Sequence, residues 1–312
     1  MGKHKVRIEK IDCSEIEKIN DILTDIWTAD SAAKARTVFD YPWERDEAHC
    51  GLILVDGERT VGFLGMIFSR RRIDNKIEKF CNLTSWYVHR KYRSRAVFMI
   101  SALRLMKDYT ITDLSPARHV YEIQKSLGFE DLDARGRLLM PIGRRLFRPK
   151  YDAADLIHDI TSIEPRLDRK DQKILIDHRD YQCEHFLLTG RDRYCYIIYT
   201  KLKRKRFRYA HLHYISDPEL FGNAYREIRK SILAHADAYF LLIDSRMVKN
   251  QKLPVSICLP YRAPKQYLSA SLKPEQIDNL YSELVMLNLR SHPRFKYLMR
   301  NVWRKVTGNK GG

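Results

Sequence analysis

The hydrophobic pattern of the first 140 residues predicts eight elements in the order β-α-β-β-β-α-β-α. Asp56-Gly57 is predicted to form a hairpin turn, because Gly and Asp tolerate the positive φ that such a turn needs. Ser14 and Ser115 are predicted to cap the first and last helices. The predicted elements, in chain order, are residues 5–11, 14–27, 52–55, 61–68, 78–88, 94–107, 109–114 and 116–127. This order indicates a mixed three-layer α/β unit.

The second half of the chain repeats part of this order without repeating its residues. The predicted elements there are strands 184–190, 194–200 and 209–215, helix 218–234 and strand 238–244. Because residues 52–114 have the same order, we interpret the second half as a degenerate internal duplication. Pro141 and Pro149 interrupt any regular element between the halves. The predicted domains are therefore 1–145 and 146–312, two tandem units of one α/β fold.

Charge and composition narrow the class of partner. The chain has 312 residues, 44% of them hydrophobic, and a formal net charge of +18. Such a charge indicates a polyanionic partner, either nucleic acid, an acidic membrane surface or a phosphate-rich cofactor. No signal peptide and no run of 18 apolar residues occurs, and the six cysteines form no C-x-x-C pair. We therefore expect a cytoplasmic protein with reduced thiols.

The basic segment Val88–Arg95, VHRKYRSR, joins a predicted strand to a predicted helix. Backbone N–H groups are exposed where a helix begins, and the helix dipole favours negative charge there. Arg93 and Arg95 would add charge-assisted hydrogen bonds to phosphate oxygens. The segment is thus a candidate anion site, and the alternative is an ordinary solvated loop.

Three segments resemble motifs of the GNAT superfamily of acyl-CoA N-acyltransferases. They are Trp86-Tyr87-Val88 with the turn Lys91–Phe98, the hairpin that leads into Val61-Gly62, and IQKSLGFE at 123–130. The resemblance covers about residues 5–140 and implies a mixed-sheet acyl-CoA N-acyltransferase-like fold. It also implies that acetyl-CoA or another acyl-CoA is the cosubstrate, with its pyrophosphate on the turn amides. The residues implied in cofactor binding are Trp86, Tyr87, Val88, Arg93, Ser94, Arg95, Ala96, Val97, Phe98 and Ser115.

The chain departs from the motifs of this family at several positions. Ala96 and Phe98 stand where the family usually has Gly, which lets backbone approach phosphate closely. Gln124 aligns with a Tyr that protonates the leaving thiolate in many members, and an amide does not titrate. Tyr121, one helical turn earlier, is the candidate substitute, although it could instead pack against the sheet.

The general base has two candidates. Glu78 begins the third predicted strand of the hairpin region, and Asp113 ends the strand that follows the basic segment. Either carboxylate could take the proton of an attacking amine if it lies in the cleft.

Two classes of function follow. The first is an enzyme that transfers an acyl group from acyl-CoA to a small-molecule amine or to a lipid- or nucleotide-linked amino sugar. The aminoacyl-tRNA-dependent peptidyl transferases, a related duplicated-fold class, would also explain the positive charge. The second is a catalytically inactive GNAT-like binding module, with Phe98 and Gln124 as its lesions, whose basic surface engages nucleic acid or membrane.

Three further segments are candidates for partner or metal sites. Residues 294–306 have the pattern of a basic amphipathic helix, which could bind the inner face of a membrane or dock on its own domain. Residues 201–209 contain six cations, and could grip nucleic acid or form an exposed β-ribbon. His211-x-His213, with His185, lacks a further ligand at metal-binding spacing, so no metal is expected.

Overall fold

The computed structural model describes residues 6–26, 36–140, 150–204 and 207–289. The described chain divides into two compact units. The first comprises residues up to Leu132 together with Lys265–Gln276 and Tyr281–Leu289. The second comprises residues from Asp133 to Pro264 together with Ile277–Leu280. Two segments from the end of the chain thus belong to the first unit. The predicted division into 1–145 and 146–312 does not include this feature. The predicted boundary itself lies outside the described residues.

Twelve strands and eight α-helices occur among the described residues. The strands are β1 Arg7–Asp12, β2 His49–Asp56, β3 Arg59–Ile73, β4 Lys76–Val88, β5 Tyr109–Asp113, β6 Glu130–Leu139, β7 Leu156–Ile157, β8 Cys183–Thr189, β9 Tyr194–Arg204, β10 Phe207–Ile215, β11 Phe240–Asp244 and β12 Ser256–Leu268. The helices are α1 Asn20–Ile26, α2 Ala96–Leu103, α3 Arg118–Ser126, α4 Ile160–Ile163, α5 Arg169–His178, α6 Pro218–Asn223, α7 Tyr225–His235 and α8 Glu283–Met286. None of the described helices is both long and apolar enough to cross a bilayer.

The first unit has a mixed sheet with the strand order β1-β2-β3-β4-β5, and the last residues of β12 pair with β5. Strands β4 and β5 are parallel, and the other neighbouring pairs in this sheet are antiparallel. The predicted hairpin turn is confirmed, because Gly57 has a φ of 65°. Met99, Ile100 and Leu103 of α2 are buried in the apolar core that covers one face of this sheet. Burying each such side chain contributes about 1.5–3 kcal/mol.

Strands β4 and β5 diverge part of the way along their length. Their ladder runs from the pair Lys79–Tyr109 to the pair Asn82–Thr112, and β4 continues to Val88 without a β5 partner. The last residues of β4 therefore lie beyond the ladder that β4 forms with β5. This arrangement places an open stretch of β4 backbone directly before the basic turn.

A β-bulge interrupts β4 within this open stretch. Gly65 of β3 pairs with Thr84, and Phe63 pairs with Tyr87, so β4 carries one residue more than β3 between these two pairs. Ser85 has a φ of 51°, in the left-handed region. A bulge strengthens the local twist and redirects the backbone groups of the bulged strand.

The second unit contains the strand order β6-β11-β10-β9-β8-β7. Strands β8, β9 and β10 are antiparallel, and β11 is parallel to β10 over the pairs Tyr209–Phe240 to Leu212–Ile243. A bulge at His213 follows the end of that ladder. The order is therefore three antiparallel strands, helical structure and a parallel strand. The region from β2 to β5 has the same order. The predicted repeat of elements is thus present in the structure.

The structure corrects several local predictions. Asp12, not Ser14, caps the first helical segment, because its Oδ1 accepts a 2.9 Å hydrogen bond from the Ser14 amide. That segment begins as a 3₁₀ helix, Cys13–Ile19, before α1. Helix α3 begins after Ala117, which makes no side-chain cap bond, so Ser115 is not its cap. The helix predicted at 218–234 is two helices, α6 and α7, that meet at Ala224.

Candidate functional site

The basic turn after β4 is a helical segment whose cations face solvent. Residues Arg90–Arg95 form a 3₁₀ helix that leads directly into α2. The side chains of Arg93 and Arg95 are exposed, and neither forms an ion pair with any carboxylate of the described residues. Two uncompensated guanidinium groups at one helix beginning produce a local positive potential. The turn can therefore attract a phosphate-bearing ligand.

The chain becomes helical at Arg90, before the predicted start of the helix at residue 94. The Ala96 amide donates to the carbonyl of Arg93, and the Tyr92 amide donates 2.8 Å to the carbonyl of His89. Only the first N–H groups of a helical run lack an internal partner. Helical hydrogen bonding begins about one turn earlier than expected, which moves the free amides toward Arg90.

Phe98, where the family usually has Gly, lies on the surface. Its side chain is 51% exposed, and the guanidinium of Arg95 lies 5.9 Å from its ring centroid. Val97 beside it is 36% exposed. An aromatic ring with a cation above it presents a flat apolar surface next to a positive charge. Phe98 therefore flanks the basic turn and does not fill the core beneath it.

The last residues of β4 provide further groups at the gap. Trp86 and Tyr87 are half-buried and Val88 is buried. The indole Nε1 of Trp86 is buried and has no hydrogen-bond partner among the described residues. The Tyr87 hydroxyl donates to Oδ2 of Asp25 at 3.2 Å. A buried donor without a partner carries an energetic cost, so the Trp86 N–H is available to a ligand that enters here.

A buried polar cluster lies where β4 and β5 part. The carboxylate of Glu283, in α8, accepts hydrogen bonds from Ser115 Oγ at 2.6 Å and from the amide of Asn82. Thr112 Oγ1 donates to Oδ1 of Asn82 at 3.0 Å and so orients that amide. Glu283 is 1% exposed, whereas Ser115 is exposed. The Ser115 hydroxyl thus links a buried carboxylate to the solvent side of the strand ends.

Asp113 forms the second half of this cluster. Gln124 Nε2 donates to its Oδ2 at 2.7 Å, and the Ser115 amide donates to its Oδ1 at 3.3 Å. Gln124 is fully buried, and its Oε1 has no partner among the described residues. The cluster therefore contains two carboxyl groups and one acceptor atom left unpaired, all removed from water. Buried polar atoms without partners are uncommon and often mark a water or ligand position.

Burial controls the protonation of both carboxyl groups. Burial raises the pKa of Asp113 to about 7, and the negative charge of Glu283 adds to the rise. Burial also raises the pKa of Glu283, against the hydrogen bonds of Ser115 and Asn82 and the charge of Lys265. Two carboxyl groups that repel each other in a dry site do not ionise independently. The pair can therefore hold or release a proton near neutral pH.

The predicted site residues fall into two groups. Asp113 and Ser115 lie together in the buried cluster, and the cofactor residues implied at 86–88 and 93–98 lie along the end of β4 and the basic turn. Glu78 lies at the other end of β4, where its Oε2 accepts from Ser271 Oγ at 3.0 Å. The Tyr121 hydroxyl donates to Oδ1 of Asp131 at 3.0 Å. The structure does not bring Glu78 or Tyr121 into the cluster.

Sequence reasoning missed Glu283 and Asn82. Asn82 is one of several polar residues of β4, and its position beside β5 becomes clear only from the ladder. Glu283 follows Ser115 by 168 residues. In the sequence, its one signal is that it is the only charged residue of the stretch 279–289, and charged residues are rarely buried without partners.

The second unit has a different surface at the corresponding turn. Asp217 caps α6 through the Leu220 amide at 2.8 Å and also binds Arg193 with two contacts of 2.6 Å. Glu219 adds a third acid contact to Arg193 at 3.3 Å. These residues line a pocket of about 620 Å³ together with Asp168, Lys170, Asp171, Asp192, Tyr194, Ser216, Pro218 and Gln251. Five carboxylates against two cations make this pocket unfavourable for a pyrophosphate.

The strand histidines are buried and close together. The rings of His211 and His213 are 4.5 Å apart between centroids, and His213 Nε2 lies 2.9 Å from Thr200 Oγ1. His185 Nδ1 lies 2.6 Å from the hydroxyl of Tyr196. No group of three or more His, Cys, Asp or Glu side chains that could hold a metal occurs among the described residues.

Comparison with known proteins places this geometry in a fold class. The chain is similar to the crystal structure of a GCN5-related N-acetyltransferase from Anabaena variabilis, with a TM-score of 0.55 and 11% identity over 84% of this chain and 72% of the other. It is also similar to a conserved protein from Enterococcus faecalis described as a probable N-acyltransferase, with a TM-score of 0.54 and 11% identity over 87% and 74%. No protein-family profile matches the sequence. No curated protein matches it either.

The chain therefore has the fold of the GNAT N-acetyltransferases, a mixed α/β fold with a large mixed sheet. The resemblance that the sequence motifs carried is confirmed at the level of fold. At 11% identity the likeness extends to the fold alone.

Proposed function

We propose that the protein is an acyltransferase that moves an acetyl group, or another small acyl group, from acyl-CoA to an amine. The observation that carries the proposal is the divergence of β4 and β5 after the pair Asn82–Thr112, with an exposed basic turn at the end of β4. An extended thioester can lie along unpaired strand backbone. Its phosphates would then reach Arg93 and Arg95.

The basic turn would bind the pyrophosphate of the cosubstrate. Arg93 and Arg95 offer charge-assisted hydrogen bonds, each worth about 1.5–3 kcal/mol. The free amides near Arg90 would add to these contacts. Phe98 offers an apolar ring next to this charge, against which the adenine or the pantetheine could pack.

The open backbone of β4 would act on the thioester. A strand N–H beyond Asn82 donates to the thioester carbonyl and stabilises the negative oxygen that develops when the amine attacks. The new C–N bond forms as the C–S bond breaks, and CoA leaves as a thiolate. Most of the rate enhancement would come from holding the amine and the carbonyl in contact.

The buried cluster would take the proton that the amine loses. Ser115 Oγ accepts it and passes its own proton to Glu283, whose carboxylate already receives that hydrogen bond at 2.6 Å. Asp113, with a pKa near 7, would tune the charge of Glu283. This assignment replaces Glu78 as the candidate base, because Glu78 lies at the other end of β4.

The acceptor would be a small-molecule amine or an amino sugar on a lipid or nucleotide carrier. The net charge of +18 favours an acceptor with a phosphate group. We place the reaction in the cytoplasm, and at the inner face of the membrane if residues 294–306 bind lipid; these residues lie outside the described part of the chain.

The alternative is a binding module without catalysis. Two features favour this alternative. The Ala96 amide is used within its own helix and is lost as a donor to a pyrophosphate, and the bulk of Phe98 reduces the room for one. Isothermal calorimetry with acetyl-CoA, followed by measurement of free CoA with a panel of amines, separates the two. Saturable binding with amine-dependent CoA release supports the enzyme. Absence of acetyl-CoA binding would overturn the proposal.

A further inference from the structure

Two cysteines meet where β1 and β2 begin to part. Ile11 pairs with Gly51 and Asp12 pairs with His49, so Cys50 is the extra residue of a β-bulge. Cys13 follows Asp12 directly and begins the 3₁₀ helix. The ladder therefore places Cys13 and Cys50 on neighbouring segments of chain, each directly after one member of the pair Asp12–His49.

A guanidinium group is fixed beside one of these sulfur atoms. Nη1 of Arg45 lies 3.3 Å from Sγ of Cys13. The same nitrogen lies 3.4 Å from the carbonyl of Phe39, and the guanidinium lies 4.9 Å from the ring centroid of Tyr41. Arg45 is therefore held in place by two other groups, and its charge can stabilise a thiolate at Cys13.

The two thiols differ in exposure and in acidity. Cys13 is half-buried, and Cys50 has no exposed surface. The hydrogen bond from Cys50 lowers the pKa of Cys13 to about 7; Arg45 lowers it too, while burial and the charge of Asp12 act against them. Burial raises the pKa of Cys183, which is also half-buried, to about 12. The difference reflects both the neighbours that lower the pKa of Cys13 and the deeper burial of the Cys183 sulfur.

We propose that Cys13 is a reactive thiolate with Cys50 as its resolving thiol, so that the pair is a site of reversible oxidation. A peroxide is the oxidant. The Cys13 thiolate attacks one peroxide oxygen, the O–O bond breaks, and sulfenic acid forms at Cys13 with release of hydroxide. The Cys50 sulfur then displaces that hydroxyl group, loses its proton and forms the Cys13–Cys50 disulfide with release of water.

This site is separate from the proposed acyl-transfer chemistry. None of its groups belongs to the basic turn or to the buried cluster around Glu283. The exposure of Cys13 gives a peroxide access, while burial protects Cys50 from oxidising first. A partly exposed low-pKa thiol next to a second thiol is the arrangement from which redox-sensitive cysteines are built.

Oxidation of the full-length protein tests the proposal without an activity assay. The protein is treated with a small excess of hydrogen peroxide, remaining thiols are blocked with N-ethylmaleimide, and peptides are analysed by mass spectrometry without reduction. We expect a Cys13–Cys50 linked peptide that disappears on reduction with dithiothreitol. In Cys50→Ser, dimedone should label Cys13 as the sulfenic acid. Oxidised wild type in which Cys13 carries sulfenic or sulfinic acid and remains unlinked would overturn the assignment of Cys50.

Alkylation rates test the role of Arg45. With limiting iodoacetamide near pH 7, Cys13 should react at least about tenfold faster than Cys183 in the same molecule, because the thiolate is the reacting form. Arg45→Gln should slow the alkylation of Cys13 by about three- to tenfold. Replacement of Arg72, an exposed arginine on β3, by Gln should leave that rate unchanged. The rate must be followed from pH 5 to 9, since Asp12, Tyr41 and Cys50 also face this sulfur. Equal rates at Cys13 and Cys183 would overturn the proposal.

Discussion

Oγ of Ser115 donates a 2.6 Å hydrogen bond to Oε1 of Glu283, a residue 168 positions later in the chain. Ser115 is exposed at the end of β5, and Glu283 is buried. A hydroxyl held by a buried carboxylate can take a proton from one side while it delivers its own to the other. In the proposed reaction, this contact would give a proton a route out of the site.

Replacement of either partner tests this route. Glu283→Gln and Ser115→Ala should each lower kcat of the proposed transfer by about 10²- to 10⁴-fold, the range of general-base contributions. Glu283 is buried and is not among the residues implied in cofactor binding, so the Kd for acetyl-CoA should change little in Glu283→Gln. The measurement is CoA release under saturating substrate, with calorimetry for binding.

Ser126→Ala is the matched control for these variants. Its hydroxyl donates to the carbonyl of Ile123 at 2.7 Å, within α3, and has no link to the cluster. This variant should keep the wild-type kcat. If Ser115→Ala also kept it while Glu283→Gln lost folding stability, the contact would be structural and the proton route would be wrong.

Asp113 makes the stability of the protein depend on pH. Its folded pKa is raised to about 7, above the value of about 3.9 in an unfolded chain. Between these values the folded state binds more protons, so the free energy of unfolding should fall as pH rises, by at most about 1.4 kcal/mol per pH unit. Above about pH 7 this contribution ends.

Asp113→Asn should remove that part of the slope. The Asn amide can donate to Oε1 of Gln124 once the Gln124 side chain rotates, and the buried Nε2 of Gln124 is then the atom left unpaired in place of Oε1. Thermal melts at pH 5 and pH 7 measure the effect, and Asp108→Asn, an exposed aspartate, is the control. A variant whose stability still falls with pH as steeply as wild type would show that Asp113 does not carry the dependence.

The sequence predicted correctly those elements whose residues and pairing partners lie close together in the chain. Strands β2 to β5, the turn at Gly57 and the stop at Gly128, with a φ of 94°, are specified by period and turn chemistry within a short stretch. Even so, β3 extends to Ile73, beyond the predicted end at residue 68. Its polar last residues pair with β4, and the hydrophobic pattern of one strand carries no information about the strand with which it pairs.

Other elements depended on distant contacts. Strand β12 contains Pro260 and Pro264, which normally argue against a strand, so it was not predicted. Yet its end pairs with β5 through Gln266–Asp113 and two further pairs. The predicted site contained Asp113 and Ser115. Glu283, which completes the site in the structure, lies near the end of the described chain. Pairing across such a distance leaves no local trace.

Close approach of β2 and β3 should make Gly51 intolerant of a side chain. A Cβ at this position would overlap the backbone oxygen of Leu64, and would lie 2.8 Å from the ring of Phe63. Gly51→Ala should therefore destabilise the protein by about 1–3 kcal/mol, the cost of overpacking. Chemical denaturation measures the difference in unfolding free energy.

Gly128→Ala is the comparison for Gly51→Ala, because it introduces backbone strain without a steric overlap. No atom lies within 4 Å of a Cβ there, but the φ of 94° is strained for alanine. It should cost about 1 kcal/mol from backbone strain. A Gly51→Ala protein as stable as wild type would mean that β2 and β3 are not packed as closely as described.

The exposed arginines of the basic turn should govern affinity for CoA more than they govern folding. Arg93→Ala and Arg95→Ala should each weaken acetyl-CoA by about tenfold to a hundredfold, since each removes a charge-assisted contact worth about 1.5–3 kcal/mol. Unfolding free energies should change by only about 0.5 kcal/mol, because both side chains are exposed. Calorimetry and denaturation on the same samples give both numbers.

Arg193→Ala is the control in the second unit. This arginine is also exposed in part, but it is bound by Asp217 and Glu219, whose charges oppose a phosphate. Its loss should leave CoA affinity unchanged, and wild type should bind one CoA per chain. The salt dependence of affinity should weaken in the Arg93→Ala/Arg95→Ala double variant, because screening acts on the charges that were removed. Equal CoA affinity in wild type and the double variant would assign the phosphates to another surface and leave Val88–Arg95 an ordinary solvated turn.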